Sequence, residues 1–140
     1  QICFLGNYVR KPAPNPGREA ALKALEAKYG NFRAVRDDAV RDQAMADYAA
    51  INEKFPEDRP TVKDLVDHID HVRKTIGIDS VGIGTDFDGG GGVIGCDDVS
   101  GMIHVTEELM RRGYTDKEIA KIWGGNFMRV FKRVQELRAK

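Results

Sequence analysis

Ser80-Val-Gly-Ile-Gly-Thr-Asp86-Phe-Asp-Gly89 is the stretch that decides the fold, because an apolar, glycine-rich run ends here in two acids. Side chains of a β-strand alternate between its two faces. One face therefore carries Val81, Ile83 and Thr85, while the other carries two glycines and then Asp86. The pattern predicts a buried parallel strand with a functional acid, Asp86, at its carboxyl end.

The residues on the amino-terminal side of this strand complete a βα unit. Thr61 and Asp64 have the spacing of a capping box, and apolar residues follow at intervals of three and four, which predicts a helix over residues 62–76 that Gly77 ends. The apolar run Gln1–Leu5, closed by the turn signal Gly6-Asn7, predicts a second strand.

The remaining segments are predicted to be helical. Between the two strands, residues 18–28 and 33–54 predict two peripheral helices, broken at Gly30-Asn31. After the second strand we expect a helix over 101–112 capped by Ser100, another from the capping box at Thr115 to about Trp123, and a last one capped by Asn126. Trp123 and the apolar stripe of the last helix are predicted to be core; the stripe comprises Phe127, Val130, Phe131, Val134 and Leu137.

Two parallel strands do not form a stable sheet alone, since parallel strands are normally buried on both faces of larger sheets. We therefore predict an α/β fold: the last two βα units of a TIM-type (β/α)8 barrel or of a doubly wound sheet, with a helical insertion at about 18–55 and carboxy-terminal helices. The chain opens inside the first strand without an initiator Met. Residues 1–140 are accordingly expected to be the carboxy-terminal part of one larger domain, with the partner strands upstream of Gln1.

Composition excludes several partners. The chain has 22 Lys plus Arg and 22 Asp plus Glu, so it offers no electrostatic attraction for nucleic acid or an anionic membrane surface. Its apolar runs are too short to span a bilayer. Cys3 and Cys96 lack the spacing of metal ligands, and Cys3 is predicted to be a buried thiol. Nothing in the sequence fixes the compartment.

Asp86 is the principal candidate for chemistry, because active sites of such barrels lie at the carboxyl ends of the strands. Its carboxylate could act as an acid or base beside a metal centre, or could simply cap the following turn. The glycines of 89–92 could alternatively approach a ligand closely, cradle a phosphate, form a mobile loop or belong to a calcium loop. Four surrounding acids and the absence of Lys or Arg between Thr85 and Gly101 disfavour phosphate, and the later ligands of a calcium loop are missing.

Four further residues are weaker candidates for a functional role. His68 and His71 are three residues apart on one helix and could form a metal pair, but we favour the interpretation that they flank the apolar stripe and hydrogen-bond within the fold. His104 is expected to be a surface or packing residue. Tyr8 follows the first strand on the same rim as Asp86, where it could touch a substrate or pack in its loop.

Three motifs together resemble the membrane (renal-type) dipeptidase family of zinc peptidases. They are Asp67-His-Ile-Asp-His-Val72, Gly77-Ile-Asp-Ser-Val-Gly-Ile-Gly-Thr-Asp-Phe-Asp-Gly89 and Trp123-Gly-Gly-Asn-Phe-Met-Arg-Val-Phe131. The resemblance runs from Gln1 to about Val134, and the helical insertion is its least distinctive part.

The resemblance implies a βα barrel that cleaves dipeptides, some with a D-residue at the carboxyl end, using two zinc ions that activate a shared water. Asp86 is implied to contact the substrate and to transfer protons. The family's metal ligands would all lie upstream of Gln1, so none is expected in this chain, and His68 and His71 are not among them. The 140 residues alone are therefore expected to be inactive and prone to self-association through open strand edges. Whether the whole protein forms a homodimer is left open.

Overall fold

The computed structural model describes residues 1–31 and 34–138, which form two compact units. One unit comprises Gln1–Pro12 and Arg59–Lys140, and the other comprises Ala13–Asp58. The α-helices of the described residues are α1 (Gly6–Val9), α2 (Pro16–Tyr29), α3 (Asp38–Lys54), α4 (Val62–Ile76), α5 (Met102–Arg111), α6 (Asp116–Ala120) and α7 (Asn126–Arg138). None of these helices is long and apolar enough to cross a membrane.

The two predicted strands of the first unit lie side by side in parallel, but they form only a single bridge, between Ile2 and Ile83. The N–H of Ile2 donates to the carbonyl of Gly82 at 2.6 Å, and the N–H of Gly84 donates to the carbonyl of Ile2 at 2.9 Å. Neither segment becomes a regular strand in the part of the chain that the structure describes. A parallel pair without further neighbours is a weak sheet, which accounts for the short pairing.

Helix α4 packs against this pair and was predicted closely. The Thr61 hydroxyl accepts from the Asp64 N–H while the Asp64 carboxylate accepts from the Thr61 N–H, so the capping box is confirmed. The helix ends at Gly77, whose φ of 86° is costly for a residue with a side chain. A 3₁₀ turn, Ile78–Ser80, follows, so Ser80 belongs to this turn and does not open the strand as predicted.

The closing helices follow the prediction except at their starts. A 3₁₀ turn over Val99–Gly101 precedes α5, and its cap is Asp98 rather than Ser100, because the Asp98 carboxylate accepts from the N–H and the hydroxyl of Ser100. The capping box between Thr115 and Glu118 is confirmed at the start of α6.

Asn126 does not cap the last helix as predicted. A π-helical segment over Lys121–Gly125, kinked at Gly124, joins α6 to α7, and Asn126 is the first residue of α7. Its buried amide donates to the carbonyls of Ile78 at 2.7 Å and Val81 at 2.8 Å. The side chain therefore attaches α7 to the amino end of the second extended segment.

The core of the first unit lies between the parallel pair and helices α4, α5 and α6. Its fully buried members include Phe4, Leu65, Ile69, Val81, Val93, Val105, Leu109 and Ile122. Trp123 is half-buried against this core, as predicted, and its Nε1 donates to the Thr106 hydroxyl at 3.0 Å. Cys96 is buried, whereas Cys3 is only half-buried and not the enclosed thiol that was predicted.

The apolar stripe of α7 is not core, which corrects the prediction. Phe127 is 55% exposed and Phe131 is 46% exposed, and their rings stack on each other with centroids 6.2 Å apart. Val130, Val134 and Leu137 are also exposed. The periodicity correctly indicated an amphipathic helix, but no described element covers its apolar face.

The second unit is a pair of helices, α2 and α3, joined after Gly30. Arg18 connects their far ends through Nη1, which donates to the Asn52 side chain at 2.9 Å and to the Phe55 carbonyl at 2.8 Å. Among the residues of this unit that the structure describes, only Leu25 and Ala44 are buried, so the pair is a thin element, as its sparse apolar residues indicated. The predicted start of the second helix at Arg33 lies outside the described residues.

Candidate active site

Asp86 ends the second extended segment, beside the carboxyl end of the first. The Phe4 N–H donates to the carbonyl of Thr85 at 3.3 Å, and the Gly92 N–H donates to the carbonyl of Phe4 at 3.0 Å. The loop that follows Asp86 therefore returns across the carboxyl end of residues 1–5. Both segments end at the same edge, which is where α/β folds place their ligands.

The backbone of Asp86 is left-handed, with φ 59° and ψ 33°, and it is the only residue other than glycine with positive φ among those described. Its carbonyl accepts from the N–H of Gly89 at 3.0 Å and from the N–H of Gly91 at 2.7 Å. This conformation costs a residue with a side chain on the order of 1 kcal/mol. The two hydrogen bonds hold the chain in it.

The carboxylate of Asp86 is not used by the fold. The residue precedes the 3₁₀ turn Phe87–Gly89, yet its side chain makes no capping hydrogen bond to that turn. It is exposed, and the described part of the chain contains no Lys or Arg that forms an ion pair with it. The Asp86 side chain therefore does not cap this turn, whereas its left-handed backbone and its carbonyl form it.

Two of the other acids around the loop have structural partners. Asp97 forms an ion pair with Arg59. Asp98 caps its turn, and the hydrogen bonds from the hydroxyl and N–H of Ser100 lower the pKa of its carboxyl group. Asp88 is exposed and is not a partner in any ion pair among the described residues. Asp86 and Asp88 are thus the two acids of this loop that form no ion pair among the described residues.

The glycine-rich loop is tied to the body of the unit at several points. The Phe87 ring packs edge-on against buried Phe4, with centroids 5.8 Å apart. Ile94 donates its N–H to the Pro60 carbonyl at 2.8 Å, and its own carbonyl accepts from the Val62 N–H at the start of α4. The exposed His104 ring, a surface residue as expected, lies with Nδ1 2.6 Å from the Gly95 carbonyl oxygen. These contacts favour a fixed loop over a mobile one.

Tyr8 lies in α1, directly after the first extended segment, and 63% of the residue is exposed. Its backbone N–H donates to the carbonyl of Leu5 at 2.9 Å. The structure places Tyr8 and Asp86 after the carboxyl ends of adjacent segments and brings no direct hydrogen bond between them. The exposed side chain is available for a contact outside the described chain, and the role of Tyr8 toward a substrate stays a prediction.

The described residues do not form a metal site. Among residues 1–31 and 34–138, no group of three or more His, Cys, Asp or Glu side chains could hold an ion. His68 is half-buried and His71 is exposed on α4, and neither ring makes a hydrogen bond within the described chain, so the hydrogen bonds expected of them are not formed. The zinc pair that the family resemblance implies therefore does not fit the side chains present here.

The polar cluster around Arg112 was missed by the sequence analysis. Arg112 Nη1 lies 2.8 Å from Asp70, Nε lies 2.8 Å from Glu108, and Nη2 donates to the Lys63 carbonyl at 2.9 Å. The Tyr114 hydroxyl also donates to Asp70. The cluster joins α4 to the end of α5, so Asp70 of the first motif has a structural role. Arg112 and Tyr114, the partners of Asp70, lie 42 and 44 positions from it in the sequence, so no local spacing predicts these contacts.

The comparisons with known proteins point in one direction. The family model described as membrane dipeptidase (peptidase family M19) matches residues 1–140. The chain is 41% identical over 80 residues to Dipeptidase 3 of Rattus norvegicus, with 56% of this chain and 16% of that protein covered. It is 46% identical over 77 residues to Dipeptidase ataJ of Aspergillus terreus, with 54% and 19% covered.

A solved structure gives the same result for the fold. The probable dipeptidase PvdM from Pseudomonas aeruginosa superposes with a TM-score of 0.69 at 35% sequence identity, and the match covers 97% of this chain and 37% of that one. The matches thus cover less than a fifth of these two curated relatives and little more than a third of the solved structure.

Proposed function

We propose that this chain, which belongs to the membrane dipeptidase family (peptidase family M19), supplies the Asp86 side of the active site of a dipeptide hydrolase. The observation that carries the proposal is the state of the Asp86 carboxylate: it is exposed beside the carboxyl end of a parallel pair, held by a costly backbone conformation and unused by the fold. The dipeptidase names of the relatives supply the reaction class.

The chemistry of amide hydrolysis gives this carboxylate a task. Water must lose a proton as it attacks the carbonyl carbon, and the leaving amine must gain one. An exposed carboxylate without a cationic partner can accept the first proton on one oxygen and deliver it to the amine nitrogen. Asp86 would perform this transfer while contacting the substrate near the scissile bond, and Tyr8 would contact the substrate from the neighbouring rim.

Zinc dependence, which the family resemblance implies, needs ligands that the described residues do not provide. We propose that residues outside this chain hold the two ions. The same reasoning assigns residues 1–140 to the carboxy-terminal part of one (β/α)8 barrel domain, as its last two βα units. The upstream barrel is then the first partner of this chain, and a homodimer of the whole protein stays a prediction.

A second candidate function is a structural piece with no catalysis of its own. The exposed stripe of α7 around Phe131 favours it for the isolated 140 residues, because that face needs a covering element. The two functions are compatible: the isolated chain would be inactive, and the complete protein would be a dipeptidase.

The decisive experiment compares Asp86→Asn with Asp88→Asn in the complete protein that carries this sequence. Asp88 is the matched control, since it is an exposed acid two residues away. With glycyl-D-alanine as substrate, we expect Asp86→Asn to lower kcat by at least about 100-fold, the scale of a lost proton-transfer group, while bound zinc is retained. Asp88→Asn should stay within a few-fold of the parent. Near-normal turnover by Asp86→Asn would remove Asp86 from the mechanism.

A further inference from the structure

Gly89 lies where a side chain would collide with the Asp86 carboxylate. A Cβ atom built on Gly89 would overlap Oδ1 of Asp86, and it would lie 2.8 Å from Cγ and 2.9 Å from Oδ2. Real Cβ atoms essentially never approach a neighbour that closely. The carboxylate therefore occupies the space that the absent side chain of Gly89 leaves.

The backbone does not explain this glycine. Gly90 and Gly92 have positive φ, so their conformations favour glycine by themselves, but Gly89 is not among the positive-φ residues. It closes the 3₁₀ turn Phe87–Gly89, a conformation that alanine adopts without strain. The three heavy atoms nearest to the added Cβ all belong to the Asp86 carboxylate, so this carboxylate is what favours glycine at position 89.

Gly91 shows the contrasting case. A Cβ atom there would overlap the carbonyl oxygen of Thr85 and lie 2.7 Å from that of Asp86, so a substitution would force backbone apart. Gly91 is thus required for the backbone of the turn to close, whereas Gly89 is required for the observed position of the Asp86 carboxylate.

We propose that Gly89 is a positioning residue for the catalytic carboxylate. Because Gly89 has no side chain, the Asp86 carboxylate can lie against it and is thereby oriented toward the substrate. The inference rests on the proposed role of Asp86 and deepens it. Two contacts fix the backbone around this space. The Asp86 carbonyl accepts hydrogen bonds from the N–H groups of Gly89 and Gly91, and the Phe87 ring packs against Phe4. Alanine at position 89 rotates the carboxylate out of its productive orientation without removing it.

The test is Gly89→Ala in the complete protein, alone and combined with Asp86→Asn, assayed with glycyl-D-alanine. A displacement of about 1 Å at a reacting group costs on the order of 100-fold, so we expect kcat to fall by about 10- to 100-fold with KM changed less than threefold. In the Asp86→Asn background the same substitution should lower kcat by less than threefold, because the carboxylate that it displaces is already gone. An equal loss in both backgrounds, or unchanged kcat in the single variant, overturns the inference.

Two further measurements separate the possible failures. If Asp86→Asn itself keeps near-normal turnover, the proposed function fails; if only Gly89→Ala does, the proposed function stands and this inference fails. Should Gly89→Ala unfold the protein, the comparison moves to an Asp86→Gly background, where glycine accepts the left-handed backbone and no carboxylate remains to collide. There Gly89→Ala should leave the unfolding midpoint unchanged, and a loss of stability there contradicts the proposal.

Discussion

Replacing Arg112 by methionine should destabilise the first unit far more than replacing its neighbour Arg111 does. Arg112 follows directly after α5, with its side chain only 16% exposed, and it bonds to Glu108, to Asp70 and to the carbonyl of Lys63. Methionine preserves the length and apolar stem of the side chain but removes the ion-pair partner of Asp70 and leaves Glu108 with Arg111 alone. Glu108, whose side chain is 8% exposed, loses one of its two guanidinium partners, which water cannot readily replace.

The size of the effect follows from this burial. Removing one partner of a fully buried ion pair costs about 3–5 kcal/mol. Arg112 Nη1 also lies 2.5 Å from Asp67. The Asp70 side chain is 26% exposed and the Asp67 side chain is 69% exposed, so water recovers part of the loss. We therefore expect the free energy of unfolding to fall by about 3 kcal/mol, which corresponds to about 10 °C in Tm for a chain of this size.

The natural control is Arg111→Met. Arg111 also bonds to Glu108, but its side chain is 62% exposed, so removing it should cost far less than removing Arg112. Urea unfolding at pH 7, followed by the fluorescence of Trp123, measures both variants. Equal destabilisation by the two variants, or a loss below about 1 kcal/mol for Arg112→Met, would refute the assignment of the cluster as the main polar link between α4 and α5.

Two other predictions concern the same unit. Hydrogen bonds from Arg111 and Arg112 outweigh the effect of burial and lower the pKa of Glu108 to about 2. The stabilising contribution of Glu108 is therefore complete above its unfolded pKa near 4.5 and is lost as the pH falls from there toward 2. Urea titrations across that range should show a declining free energy of unfolding, and a flat profile contradicts the cluster. Replacing both Phe127 and Phe131 by serine should shift the isolated chain toward monomer in sedimentation velocity, since both exposed rings lie on the uncovered stripe of α7, whereas unchanged association would place the contact elsewhere.

Local signals in the sequence were sufficient for much of the helical structure. The capping boxes at Thr61 and Thr115 each span four residues, so the two residues that form each box are only three positions apart in the sequence. Local signals do not show whether another element covers the apolar face of a helix. The stripe through Phe131 correctly predicted an amphipathic helix, but its burial depends on elements beyond the helix itself, and among the described residues none packs there.

Contacts between distant segments set the remainder. In the Arg112 cluster, the bonds to Asp70 and Lys63 join residues 42 and 49 positions apart, and no periodicity encodes them, whereas Glu108 and Arg112 are only four positions apart. The short parallel pairing of Ile2 and Ile83 likewise depends on how many neighbouring strands are present. In the site, alternation along the strand was enough to place Asp86 at its carboxyl end. The left-handed backbone of Asp86 and its contact with Gly89 arise from the return of the loop and could not be inferred from alternation.

The loop itself supplies an argument for catalysis that is independent of any relative. Asp98 shows what an aspartate does when it serves the fold here: it accepts two hydrogen bonds from Ser100 and closes a turn. Asp86 precedes a similar 3₁₀ turn and could have done the same, yet its side chain makes no such bond and its backbone is held in a conformation that costs on the order of 1 kcal/mol. A glycine then leaves room for its carboxylate. Two hydrogen bonds to its carbonyl hold this backbone, but the carboxylate itself gives the fold no hydrogen bond, as is expected of a group that faces a polar ligand at the edge where both segments end.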